Sequence, residues 1–176
     1  MIRLLCCILL ALLAIPGLAH GQQHRLDSAF DAAIATFERA LPQLAANEFG
    51  VDIVAYRDAL TLQRFSSALW GSEVSVTPTI RDTATGSCSR FAAFVRIPPE
   101  NGVVSLVLCP QFFSDGTDAL RELTILHELV HVIAGRDECQ AMAFAAQVEM
   151  AAKGRFTPVG AYWQANGCAE SAYSLP

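Results

Sequence analysis

Residues Leu123–Ala141 read LTILHELVHVIAGRDECQA, with His127 and His131 four residues apart and Glu128 directly after the first histidine. Leu123, Ile125, Leu126, Leu129, Val130, Val132 and Ile133 surround them, so the stretch predicts a helix that is apolar nearly all round and therefore buried. On a helix, residues four apart lie one above the other on the same face, so both imidazoles point to one place. Buried polar groups without partners cost roughly 1–3 kcal/mol each, and a metal ion supplies partners for all of them. A His-Glu-x-x-His match arises by chance in roughly half a percent of chains this size, which favours a site over coincidence.

The residue types fit one Zn²⁺, which takes imidazole nitrogens and a carboxylate in a tetrahedron. Glu128 projects from the side of the same face. From there it can act as general base toward a water on the metal without being a ligand itself. The third protein ligand has to come from elsewhere. Gly135 stops the helix, Arg136-Asp137 makes a tight turn, and a second helix is expected from Glu138 to Lys153, closed by Gly154. Glu138, Ala141 and Ala145 share a face of that helix, and the two alanines allow close approach to the first. Glu138 is therefore the expected third ligand. Asp137 is the alternative, with a competing occupation as N-cap, and Glu149 stands behind both.

Upstream, helical spacing runs from Leu26 to Leu44 (Phe30, Ile34, Phe37, Leu41) and from Ile53 to Leu69. Three strands are expected at Glu73–Ile80, Phe91–Ile97 and Val103–Cys109, the last two joined by a hairpin through Pro98–Gly102. Thr117 or Asp118 can cap the histidine helix. From Phe156 to Pro176 the chain shows no period. The fold class expected is α+β: N-terminal helices, a small antiparallel sheet, the histidine helix, and a packed C-terminal helix.

The chain of 176 residues opens with MIRLLCCILLALLAIPGLAHG, a positive residue, an apolar run too short to span a bilayer, and small residues before Gln22. It reads as a secretory signal peptide over 1–21, leaving a single domain over 22–176 that is exported to the periplasm or beyond and has no membrane segment after cleavage. A net charge of −5 without a basic patch gives no basis for nucleic-acid binding. Four cysteines follow the leader, and an even number in an exported chain suggests disulfides. Cys88 with Cys109 is favoured because their segments read as neighbouring strands, which leaves Cys139 with Cys168.

The HELVH helix resembles the active-site helix of the zincin metallopeptidases. VVSLVLCPQFF before it is similar to the arrangement in deuterolysin-type (aspzincin) peptidases: a strand ending in cysteine, an aromatic pair, then the helix. The likeness covers Val103–Gln140. It implies zinc-dependent hydrolysis of peptide bonds, with His127 and His131 as ligands, and an edge strand at Val103–Cys109 along which an extended peptide lies. The chain departs from these families after His131. Where metzincins carry glycine it has Ala134, and the aspzincin Gly-Thr-x-Asp segment is shortened to Gly135-Arg136-Asp137. Glu138 stands where gluzincins, usually after an insertion, place a glutamate ligand on a following helix. Tyr162, Tyr173 and His24 are candidates to stabilise an oxyanion, each against an ordinary structural role. Two rival readings are an inactive binding protein of the same fold and a structural domain without metal.

Overall fold

The computed structural model describes residues 16–114 and 116–176. The expected leader falls largely outside them. Helix α1 (Pro16–Ala40) runs through Gly21 and Gln22 and buries Leu26, Ala29, Phe30, Ala33, Phe37 and Ala40 along one stripe. It stops short of Leu44 because Pro42 follows, and residues Leu41–Gln43 form a single 3₁₀ turn. A two-residue hairpin, β1 (Asn47–Glu48) and β2 (Val51–Asp52), leads into α2 (Ile53–Leu60). Asp52 caps α2 by accepting the amides of Val54 and Ala55.

The predicted helix from Ile53 to Leu69 is thus too long. Leu62 takes a left-handed conformation (φ 57°), and Phe65–Ser67 becomes strand β3, with Phe65 buried. After it come β4 (Ser72–Ile80), β5 (Ala93–Glu100) and β6 (Val103–Leu108). The sheet order is β3-β4-β6-β5. It is mixed rather than antiparallel, because β4 and β6 run parallel while the other two pairs are antiparallel.

The expectation of an edge strand at Val103–Cys109 is overturned. Strand β6 is hydrogen-bonded on both sides, and Val104, Leu106, Val107 and Leu108 are buried. A nearly continuous apolar run is what a central strand presents. The edge beside it is β5, whose Pro98 and Pro99 have no N–H to give a ladder.

Three helices follow: α3 (Pro110–Ser114), α4 (Asp118–Ala134) and α5 (Glu138–Lys153). The last two match the expected boundaries. Thr117 caps α4 through the Leu120 amide, and Gly135 ends it at φ 96°, a conformation open to glycine. Helix α4 is central, packed by α1, α2, α5 and β5. Even its carbonyls are engaged from outside: Tyr56 donates to Leu126 and Trp70 to Val132, both at 2.8 Å.

The tail is less irregular than expected, with a short α6 (Gly160–Ala165) and a 3₁₀ turn at Cys168–Glu170. Both expected disulfides are present, Cys88–Cys109 and Cys139–Cys168. They fit an oxidising compartment. Among the described residues no helix is long and apolar enough to cross a membrane.

Candidate metal centre

Helix α4 does what its spacing requires. His127 and His131 are buried on one face, with their Nε2 atoms 3.1 Å apart. The short turn at Gly135–Asp137 then brings in the start of α5. Glu138 Oε2 lies 3.0 Å from His127 Nε2 and 3.4 Å from His131 Nε2. These three residues form a group that could hold a metal ion, and among the described residues no other such group is found.

Asp137 is occupied otherwise. Its Oδ1 accepts the amides of Cys139 and Gln140 and so caps α5. Glu149 is fully buried at the far end of α5, bound to Lys153 and to the amide and hydroxyl of Thr157. Neither carboxylate belongs to the group.

The two histidines are held differently. His131 Nδ1 donates to the Gly135 carbonyl at 2.7 Å, so in the neutral ring Nε2 is the lone-pair nitrogen. The glycine that stops the helix thus also orients a donor. That role was open to prediction, since the carbonyl lies four residues after His131. His127 Nδ1 is buried and has no partner among the described residues.

Glu128 is buried beside the pair and faces the Val95 backbone on β5. Burial raises its pKa above the ordinary glutamate value, although the neighbouring histidines and the Val95 backbone N–H pull the other way. Glu138 moves oppositely. Burial resists its ionisation, but bonds with His127, His131 and Tyr162 prevail and hold its pKa well below the usual range. For His131 burial favours the neutral ring, yet the Glu138 bond and the charges of Glu128 and Glu138 outweigh it and raise its pKa.

Of the oxyanion candidates only Tyr162 reaches the centre. It sits on α6, donates its hydroxyl to Glu138 Oε2, and sets its ring edge-on to His127 at 5.6 Å. Burial, then the Glu138 bond, raises its pKa and keeps the phenol protonated. Tyr173 instead packs against Phe49, and His24 is on the exposed side of α1.

Two hollows flank Glu128. One, about 460 Å³, is walled by Ala93, Leu123, Met142 and Val159, and the exposed apolar residues Phe91, Leu120 and Tyr162 rim it. The other, about 550 Å³, follows β5 from Ala93 to Glu100 and reaches His131, Arg136 and Glu138. Strand β5 was the element missed at sequence level as part of the site, and its two prolines were the available sign of an edge. Comparisons with family models, curated proteins and solved structures found no match, so the site stands on its own geometry.

Proposed function

We propose that this chain is an exported zinc-dependent hydrolase that cleaves peptide bonds. The observation that carries the reading is the spacing of the three donor atoms. Ligands held 2.0–2.1 Å from a tetrahedral Zn²⁺ stand about 3.3 Å from one another. Here the separations are 3.0, 3.1 and 3.4 Å. One carboxylate and two imidazoles also suit zinc over the oxygen-seeking cations.

Zinc bound there would supply Lewis acidity, lowering the pKa of a water toward 7 and polarising a carbonyl. Everything else falls to the chain. Glu128 lies beside the donors without being one of them. Its raised pKa makes its carboxylate a better proton acceptor near neutrality, so it takes the proton of the attacking water and delivers it to the leaving amine.

The substrate's path follows from β5 instead of β6. The Ala92 carbonyl accepts from Cys109 on the inner side, so by alternation Ala93 and Val95 turn their backbone groups outward. An extended peptide adds there as a further strand, passing Glu128 between the two hollows, and the apolar one receives a side chain. The reading of 1–21 as a leader and the two disulfides support export.

The test is elemental analysis of the dialysed protein, followed by cleavage assays on unfolded protein substrates with Glu128→Gln alongside. About one zinc per chain and turnover lost in the variant is the expected result. Zinc without Glu128-dependent turnover would point to a binding protein. No zinc after reconstitution would leave a structural domain.

A further inference from the structure

We propose that Tyr162 and the Cys139–Cys168 disulfide work as one positioning device for the third ligand, so that the C-terminal tail sets how firmly the metal is held. The proposal rests on reading the centre as a zinc site. Its starting point is an inequality among the donors. The histidine side chains are about 6% exposed, whereas Glu138 is 43% exposed at the first position of α5. Helix packing fixes the histidines. It leaves the glutamate freer to swing.

What restrains Glu138 from outside α4 and α5 is the Tyr162 hydroxyl, donated to Oε2, the same oxygen that faces both histidines. Tyr162 in turn sits on a six-residue helix with no buried residue, too short and too exposed to hold itself in place. Besides the buried Val159 before it and the Trp163 ring packed on the core, its anchorage comes from the chain just beyond it. Asn166 donates to the Tyr162 carbonyl at 3.0 Å, and Cys168, fully buried, is bonded to Cys139. Cys139 is the residue next to Glu138.

A closed circuit results. It leaves Glu138 through the peptide bond to Cys139, crosses the disulfide to Cys168, returns through Asn166 to Tyr162, and ends on the Glu138 carboxylate. The covalent bridge keeps the phenol near its target, and the phenol keeps the carboxylate facing the histidines. Outer partners of this kind are worth 10–100-fold in metal affinity. Tyr162 is here a positioning residue, acting through Glu138.

The experiment follows zinc leaving the full-length protein into excess chelator. Wild type is compared with Tyr162→Phe, Cys139→Ala/Cys168→Ala, the triple variant, and Cys88→Ala/Cys109→Ala as a matched loss of the other bridge. Circular dichroism checks folding of each. Tyr162→Phe and the Cys139/Cys168 variant are each expected to release zinc about tenfold faster, and the triple variant no faster than the Cys139/Cys168 variant. The Cys88/Cys109 variant should match wild type. In the cobalt-substituted protein, Tyr162→Phe should also shift the visible absorption bands, which general loosening of the fold would not do.

Unchanged release from Tyr162→Phe would overturn the proposal while leaving the zinc reading intact. So would effects that multiply in the triple variant, or equal acceleration on losing Cys88–Cys109. If the Cys139/Cys168 variant does not fold, Asn166→Ala takes its place in the cycle with the same expectation. A wild type that takes up no zinc removes the zinc reading and this proposal together.

Discussion

The α4–α5 corner and the C-terminal tail both put atoms on the metal group, but they are built by opposite means. The corner is secured by burial: Ile125, Leu126, Leu129 and Val130 are fully enclosed, and the histidines inherit that rigidity. The tail from Gly154 onward is secured at points, by one disulfide, the Thr157–Glu149 bonds and the seat of Val159. The contrast separates two jobs. Burial can place two donors permanently, while a tethered segment can hold a third group that must stay near solvent and substrate.

The sharpest way to break the comparison is to remove a donor from each side. His131→Ala is expected to bring zinc from about one per chain to near zero, whereas Tyr162→Phe should retain it at saturating metal. Elemental analysis decides this, and equal loss in both would mean the tail is part of the ligand set. Next in size is Glu128→Gln, which should keep zinc while turnover drops about 10²–10⁴-fold in a peptide cleavage assay.

Stability gives the third comparison. Leu129→Ala leaves a hole in the fully buried centre of α4 and should cost about 2–5 kcal/mol in denaturant unfolding of the metal-free protein. Tyr162→Ala, 38% exposed at the tail, should cost under about 1 kcal/mol in the same titration. A tail change as costly as the core change would erase the distinction drawn above.

The smallest effect is one of pH. In the metal-free protein Glu138 has a lowered pKa and His131 a raised one. The lowered carboxyl contributes stability above its unfolded value of about 4.3, which is lost as pH falls through its folded value. The raised imidazole contributes below about 6.5, which is lost as pH rises through its folded value. Their joint contribution is therefore greatest between these limits. Because Glu138 is partly exposed it should not exceed about 1 kcal/mol, seen as a shallow maximum in melting temperature that His131→Ala flattens.

Helix α5 was legible to the residue and α4 to within one, because period, cap and stop agree: Thr117 (or Asp118) and Asp137 were the cap candidates, Gly135 and Gly154 close, and the apolar positions leave no other face. The donors came with them, since His127 and His131 are fixed by local geometry and the three-residue turn limits where Glu138 can go. Strand order was not legible. VVSLVL and FAAFVRI both read as strands, and which lies outside depends on pairings far apart in sequence. The α2 boundary failed for a similar reason, since Phe65 joins the core through β3 instead of continuing the helix. Tyr162 was visible only as one aromatic among several, because what singles it out is a bridge joining positions 29 residues apart.

Strand β5 has a further consequence, for solubility. An open strand edge invites any extended chain, including another copy of the same protein, and natural sheets guard against it. Here Pro98 and Pro99 offer no donors, and Arg136 occupies the Ile97 carbonyl. The backbone left open narrows to the neighbourhood of Ala93 and Val95, too short a run for two edges to zip together, yet still able to hold a single strand guided in by the hollows on either side.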